Sequence, residues 1–144
     1  MRRTGAKAFI HQEDAAPVRN GDGWGTLSKM FGEISEALEV EPIAEGDRFS
    51  TGEHDFEVIH TPGHTIGSIC LHEKKSGALI SGDTVFVGGV GRWDLPTGDF
   101  DSLVTSIRKL FELGPESIYP GHGPYASGNG KQRIKEDLNG IGEN

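Results

Sequence analysis

The chain has 144 residues, of which 34% are hydrophobic and 25% charged, with 22 glycines and 7 prolines. A domain of this size buries about two thirds of its unfolded surface, so we predict a single domain over residues 1–144. The formal net charge of −8 disfavours binding to nucleic acids and to anionic membrane surfaces. Because Cys70 is the single cysteine and no apolar run is long enough to span a membrane, we expect a cytoplasmic protein.

The first half of the chain predicts short strands, loops and one helix. Apolar residues recur every three or four positions over residues 27–38, which is typical of a helix. Residues 12–26 are expected to form a loop or a short broken helix, because Pro17 is followed by a run of asparagine, aspartate and glycine. Strands are predicted over residues 6–11 and within residues 42–59.

The second half of the chain predicts further strands, a long loop and two helices. The glycine-rich loop over residues 87–99 leads into an amphipathic helix that ends before Gly114, and a polar helix is expected over residues 131–138. The predicted strands cover residues 68–72, 78–81 and 117–119. Strands, loops and helices in this order predict an α/β protein of layered sheets and helices.

Three segments place a side chain able to bind a metal shortly after an apolar strand, within a turn rich in glycine or proline. These side chains are His64, Asp83 and His122. One such histidine alone is more often a surface residue, but side chains at three strand ends can converge at one edge of a sheet. Two imidazoles and one carboxylate suit Zn²⁺ or a similar divalent ion, so together they predict a metal site.

The sequence around these side chains resembles the metallo-β-lactamase superfamily, most closely its glyoxalase II-like hydrolases. The resemblance runs from about Gly5 to Pro124. It rests on Thr61-Pro62-Gly63-His64-Thr65 with Gly67-Ser68, on Ser81-Gly82-Asp83-Thr84-Val85-Phe86, on Gly91-Arg92-Trp93-Asp94-Leu95-Pro96-Thr97-Gly98-Asp99, and on Tyr119-Pro120-Gly121-His122-Gly123-Pro124. It implies a four-layer αββα sandwich.

The resemblance also implies a dinuclear metal site. It makes His64 a ligand of the first metal, Asp83 the carboxylate that bridges both metals, and His122 a ligand of the second. The metals would be two zinc ions per intact site, with iron or manganese as alternatives. In such sites the metal pair lowers the pKa of a bridging water, and the resulting hydroxide attacks a carbonyl.

The function implied by the resemblance is hydrolysis of a thioester or a related acyl compound, which is a small-molecule substrate. Two alternatives stay open at this point. One is a persulfide dioxygenase-like enzyme that uses a single iron on similar ligands. The other is a catalytically inactive, truncated chain that serves as a binding module.

One motif of the family is missing from the printed sequence. Members carry a His-x-His-x-Asp-His motif upstream of the strand that corresponds to residues 6–11, and it supplies two ligands to each metal. We therefore expect the chain to be the C-terminal part of the full fold, with uncovered sheet surface that favours a homodimer. Because catalytic zinc usually has three protein ligands, we expect this chain alone to bind zinc weakly or below stoichiometry.

The remaining histidines and the cysteine are expected to have structural or solvent-exposed roles. His60 is predicted to make structural hydrogen bonds. The other three, at strand ends or turns, are predicted to be solvated: His11, His54 and His72. Cys70 lies on an apolar strand and is predicted to be a buried thiol.

Two residues of the glycine-rich loop are candidates for contact with substrate. The guanidinium of Arg92 could bind an anionic substrate group, and a structural role through pairing with Asp94 or Asp99 is at least as compatible with the sequence. Trp93 stands where the family often has a small polar residue, and it is expected to narrow the mouth of the pocket.

Overall fold

The fold is built on one five-stranded mixed sheet with helices packed against it. The computed structural model describes residues 5–23, 26, 28–33 and 36–142. In chain order the elements are β1 (Phe9–His11), α1 (Gln12–Asn20), a 3₁₀ helix (Ser28–Phe31), β2 (Glu41–Ile43), β3 (Arg48–Ser50), β4 (Asp55–His60), β5 (Ile69–Glu73), β6 (Ala78–Gly82), β7 (Val85–Phe86), β8 (Gly89–Val90), α2 (Phe100–Leu113), β9 (Ser117–Pro120) and α3 (Gly130–Gly142).

The order of strands in the main sheet brings three strand ends to one edge. The order is β3-β4-β5-β6-β9; the first four strands are antiparallel neighbours, and β6 pairs parallel with β9. It follows that β4, β6 and β9 run in the same direction, so their carboxyl ends share an edge. Two small sheets complete the described structure, one of β1 with β2 and one of β7 with β8.

The core lies between one face of the main sheet and helices α2 and α3. Its buried members from the sheet are Ile59, Cys70, Leu79 and Ile118, and those from the helices are Leu103, Ile107, Leu110 and Ile134. The apolar spacing of α2 places its three core residues on one stripe, and complete burial of each such side chain contributes about 1.5–3 kcal/mol. On the opposite face of the sheet Ile80 and Tyr119 are solvent-exposed.

Helix α2 begins and ends at residues that its sequence already indicated. The Asp99 carboxylate accepts a hydrogen bond from the backbone N–H of Ser102 at 2.7 Å, which caps the first turn. The helix ends at Gly114, whose φ of +68° is the left-handed conformation that glycine adopts most easily. The predicted helix is therefore confirmed, with boundaries set by its own capping residues.

The helix predicted over residues 27–38 is wrong in the part that the structure describes. A single 3₁₀ turn forms at Ser28–Phe31, and residues 36–40 are irregular, whereas Leu27 and Ile34 lie outside the described residues. The reason is Gly32, which adopts φ of +69° and turns the chain out of the helical path. The apolar spacing continues across Gly32, but a glycine is a weak point inside a predicted helix.

The other predicted elements form with shifted boundaries. The strand expected over residues 6–11 begins only at Phe9, and the segment after it becomes helix α1, which contains Pro17. The terminal helix extends over Gly130–Gly142 rather than residues 131–138. Within the described part of the chain, no helix has the length and apolar character needed to span a membrane.

Candidate metal centre

The three side chains predicted to bind metal lie together at the shared edge of the main sheet. The Nε2 atom of His64 is 3.7 Å from Oδ2 of Asp83, and Nε2 of His122 is 3.5 Å from the same oxygen. His64 follows β4, Asp83 follows β6 and His122 follows β9, which are the three strands that run in one direction. The strand directions therefore explain why residues so far apart in sequence converge.

The turn after β9 approaches Asp83 closely because it contains a glycine. The backbone N–H of Gly121 donates to the carbonyl of Gly82 at 2.8 Å, which ties the end of β9 to the end of β6. A Cβ on Gly121 would lie 2.5 Å from Oδ1 of Asp83, closer than van der Waals contact allows. Glycine at this position therefore lets His122 reach the carboxylate.

The imidazole of His64 is held in one tautomer by the glycine-rich loop. Its Nδ1 lies 2.8 Å from the carbonyl oxygen of Arg92, and because that oxygen can only accept, Nδ1 must donate. The lone pair of the neutral ring is then on Nε2, the atom that faces Asp83. This arrangement is the usual way in which proteins orient a metal-binding histidine.

Helix α2 holds the loop that carries His64. The hydroxyl of Ser106 donates to the carbonyl of Pro62 at 2.7 Å, and the backbone N–H of Asp99 donates to the carbonyl of Gly63 at 2.9 Å. Gly63 has φ of +138°, and a Cβ there would lie 2.3 Å from the Cα of Leu103. The loop can pack this tightly on the helix because it has glycine at that position.

A buried group of hydroxyls and a thiol lies beneath the site. Oγ1 of Thr61 is 3.0 Å from Oγ1 of Thr84 and 3.5 Å from Sγ of Cys70, and all three residues are fully buried. The side chain of Cys70 is buried, which confirms the prediction of a buried thiol, and this burial raises its pKa to about 11. Both threonines belong to motifs of the resemblance, Thr61 directly after β4 and Thr84 directly after Asp83, but the sequence pattern indicated no role for either.

Arg92 forms an ion pair within its own loop. Its Nε and one terminal nitrogen donate to the two carboxylate oxygens of Asp94 at 2.7 and 2.8 Å. This hydrogen bonding lowers the pKa of the Asp94 carboxyl and raises that of the guanidinium. Of the two roles expected for Arg92, the structure shows the pairing with Asp94. Next to it, Trp93 is 43% exposed and packs against Phe100 with ring centroids 4.9 Å apart.

His60 has the structural role that the sequence predicted, whereas the prediction for His11 is wrong. Nε2 of His60 donates to the carbonyl of Ile66 at 2.8 Å. His11 is only 3% exposed, and its ring stacks on that of His60 with centroids 3.9 Å apart. The sequence suggested a solvated residue because His11 lies at a strand end, but the residues after it begin α1, whose first turn folds against the His64 loop.

The two remaining histidines lie away from the candidate centre. His54 is exposed, and its Nδ1 is 2.7 Å from Oε1 of Glu73. It precedes β4, at the edge opposite to the carboxyl end of that strand. His72 lies on β5 and is half-buried rather than fully solvated.

The donor atoms present fit the shared part of a dinuclear site. Two imidazole nitrogens face one carboxylate oxygen, a set that suits borderline divalent ions such as zinc. Over the described ranges of the chain, no group of three or more histidine, cysteine or acidic side chains is arranged so that it could hold a metal ion. Each histidine lies within 3.7 Å of the same oxygen of Asp83, so the carboxylate is the group that the two imidazoles share.

Comparison with known proteins identifies relatives over most of the chain. The sequence profile of the metallo-β-lactamase superfamily matches residues 1–122. A probable metallo-hydrolase of Methanocaldococcus jannaschii is 41% identical over 120 residues, covering 80% of this chain and 56% of the relative. The hydroxyacylglutathione hydrolase GloC of Haemophilus influenzae is 39% identical over 97 residues, covering 66% of this chain and 46% of the relative.

Further similarity extends to a thioesterase and to a solved structure. The acyl-coenzyme A thioesterase MBLAC2 of Gallus gallus is 40% identical over 133 residues, covering 78% of this chain and 48% of the relative. The crystal structure of TTHA1623 in a di-iron-bound form is 30% identical with a TM-score of 0.76, covering 92% of this chain and 65% of that one. The chain thus spans about half the length of the curated relatives it matches.

Proposed function

The chain belongs to the metallo-β-lactamase superfamily, and on that premise we propose that it forms part of a dinuclear metal-dependent hydrolase with His64, Asp83 and His122 as ligands. One observation carries the proposal: the Nε2 atoms of both histidines face the same oxygen of Asp83. The metals would be zinc, with iron or manganese as alternatives, since a similar structure holds two irons.

The proposed substrates are thioesters. Relatives with about 40% identity are named a hydroxyacylglutathione hydrolase and an acyl-coenzyme A thioesterase. The fold alone does not select a substrate, so this part of the proposal depends on those relatives and on the chemistry of the donor set. Bound metals would supply Lewis acidity toward a carbonyl and a nucleophile at neutral pH.

The protein's own contribution is to hold the ligands before substrate arrives. Asp83 would bridge the metals, with His64 on one and His122 on the other. Arg92 O accepts from Nδ1 of His64, so the ring needs no reorientation, and the Gly121 turn seats His122 beside the carboxylate. Ligands that are already oriented avoid a cost of reorganisation during the reaction.

Arg92 is proposed as a contact for an anionic group of the substrate. Its ion pair with Asp94 is exposed, with side-chain exposures of 53% and 65%, and ion pairs of this kind contribute little to stability. The guanidinium can therefore exchange the Asp94 carboxylate for a substrate carboxylate without disturbing the fold. A bidentate arrangement like the one with Asp94 suits such a group.

Metal binding by single-site variants tests the proposed ligands. The 144-residue chain would be dialysed to equilibrium against zinc, iron(II) or manganese(II), and its metal content would be measured by elemental analysis relative to the dialysis buffer. We expect weak or substoichiometric zinc that is abolished in Asp83→Ala and reduced in His64→Ala and His122→Ala. The control His54→Ala removes an exposed imidazole at the opposite edge of the sheet and should leave metal content unchanged.

Hydrolysis of S-lactoylglutathione and of an acyl-coenzyme A by the loaded chain tests the proposed reaction. Activity that depends on added metal and is lost in Asp83→Ala supports the proposal. Equal metal content in the wild type and in Asp83→Ala would overturn the assignment of ligands. A wild type that binds none of the three metals and hydrolyses neither thioester would favour the inactive binding module instead.

A further inference from the structure

The first turn of helix α1 contacts the loop that carries His64 through a carboxylate. Oδ2 of Asp14 accepts a hydrogen bond from the hydroxyl of Thr65 at 2.7 Å, and Oδ1 accepts from the backbone N–H of Gly67 at 3.2 Å. The two donors are one and three residues beyond His64 in the chain. From this geometry we propose that Asp14 is a positioning residue that orients His64 through Thr65 and Gly67.

Asp14 approaches the loop so closely that position 67 requires glycine. A Cβ on Gly67 would lie 2.4 Å from Cγ of Asp14, so a larger residue there would push the helix away. Thr65 is further tied to Ser68, whose Oγ accepts from the backbone N–H of Thr65 at 2.9 Å and lies 3.0 Å from its hydroxyl. The hydrogen bonds thus run from Ser68 through Thr65 to the Asp14 carboxylate.

The start of α1 is also linked to the loop indirectly, through two stacked histidines. His11 caps α1, its Nδ1 accepting from the backbone N–H of Glu13, and its buried ring stacks on His60. His60 in turn donates from Nε2 to the carbonyl of Ile66. Asp14 of α1 therefore holds residues 65 and 67, while residue 66 is held by His60 of β4, which stacks on the N-cap of the helix.

Asp14 is suited to this role because its hydrogen bonds are charge-assisted. Hydrogen bonds to an ionised carboxylate are shorter and about twice as strong as neutral ones. They fix the backbone one and three residues after His64, whose ring is itself held by the carbonyl of Arg92. Without them Thr65 and Gly67 would lose their contacts with α1, and we expect the loop to shift and the hydrogen bond from Nδ1 of His64 to Arg92 O to lengthen.

The competing explanation is that Asp14 only stabilises α1, since an acidic residue in a first turn interacts favourably with the helix dipole. Glu13 separates the two explanations. It lies in the same turn and carries the same charge, but its side chain is exposed. Asp14→Ala and Glu13→Ala therefore remove the same charge from the helix, whereas only the former removes contacts with the loop.

The experiment measures the loop in the metal-free 144-residue chain, so it is independent of activity. In Asp14→Ala we expect the amide hydrogen exchange of Gly67 to accelerate about tenfold or more, in keeping with loss of a hydrogen bond to a charged group. Long-range ¹H–¹⁵N spectra at pH 8 should show His64 as the Nδ1–H tautomer in the wild type and a mixture in the variant. Glu13→Ala should match the wild type in both measurements.

Asp14→Asn serves as the conservative variant, because its amide oxygen can still accept from Gly67. It should restore most of the protection of the Gly67 amide. Circular dichroism and urea unfolding would show that each variant is folded. An unchanged His64 tautomer in folded Asp14→Ala, or equal effects of Asp14→Ala and Glu13→Ala, would overturn the inference.

The inference rests on the proposed function in one respect, namely that His64 binds a metal. Zinc titration of the same variants against a chromophoric chelator distinguishes failure of the proposed function from failure of the inference about Asp14. If the wild type binds no zinc, the proposed function fails while the exchange and tautomer results still decide the role of Asp14. If the wild type binds zinc and Asp14→Ala binds it equally well, the role of Asp14 fails alone.

Discussion

The hydroxyl oxygens of Thr61 and Thr84 lie 3.0 Å apart in the fully buried interior beneath the candidate metal centre. Thr61 begins the loop that leads to His64, and Thr84 directly follows Asp83. Their hydrogen bond therefore joins the two chain segments that carry these site residues. Because a buried polar group without a partner is costly, the two threonines should behave as a unit in stability measurements.

Replacement of Thr61 by valine should destabilise the protein by about 1–3 kcal/mol, because Thr84 then loses a buried partner. The double variant Thr61→Val/Thr84→Val should cost less than the sum of the two single variants, since neither hydroxyl remains. Urea unfolding of the four proteins measures this coupling. Thr105→Val, on an exposed position of α2, is the control and should change stability by less than about 0.5 kcal/mol. A loss of stability in the double variant equal to the sum of the two single losses would contradict this coupling.

The buried thiol of Cys70 should make stability fall at alkaline pH. Its pKa is raised from 9.0 to about 11 by burial, so the folded state keeps the thiol neutral where the unfolded state ionises it. The stabilisation is complete below about pH 9 and is lost as the pH rises through 11. Unfolding at pH 8 and pH 10 should show a larger decrease for the wild type than for Cys70→Ala. Equal decreases in stability in the wild type and in Cys70→Ala would show that ionisation of Cys70 is not the cause.

Asp137 on α3 should destabilise the folded protein at neutral pH, whereas a carboxylate with a lowered pKa would stabilise it. Burial, and then the charge of Glu136, raise its pKa from 3.8 to about 6. Among the described residues, its Oδ2 and the Nε of Arg133 are buried without a hydrogen-bond partner. The folded state therefore favours the protonated acid, whose stabilisation is complete below about pH 4 and lost as the pH rises through 6.

The substitution Asp137→Asn tests this assignment. The amide keeps an acceptor for the backbone N–H of Gly89 but carries no charge. We expect the variant to gain stability relative to the wild type between pH 4 and pH 7, measured by thermal or urea unfolding at each pH. A difference between the two proteins that stays constant over this range would show that Asp137 titrates normally.

Gly121→Ala should disturb the site without straining the backbone. The added Cβ would meet Oδ1 of Asp83 at 2.5 Å, so the carboxylate or the His122 turn must move. We expect lower zinc affinity and lower thermal stability. The control Gly140→Ala lies on α3 with no atom within 4 Å of the new Cβ, and it should raise stability by about 0.5–1 kcal/mol. Equal metal affinity of the two variants would contradict the role of Gly121.

Local sequence features were sufficient to predict elements whose ends are marked by capping residues. Helix α2 follows its apolar spacing from Asp99 to Gly114, because the caps at both ends are built from those two residues. The same spacing failed over residues 27–38, where a left-handed Gly32 ends the turn. Apolar spacing predicts which face of a helix is buried, but it does not predict where the helical conformation of the backbone ends.

The sequence by itself determined which metal-binding types of side chain would meet at one edge of the sheet: His64, Asp83 and His122 each follow an apolar strand in a glycine-containing turn, and this pattern is local. Tertiary structure alone decided what surrounds them. The Thr61–Thr84 hydrogen bond, the stacking of His11 on His60 and the approach of Asp14 to Gly67 join residues separated by 23 or more positions. Such contacts depend on strand order and helix packing, which no local pattern of residues encodes.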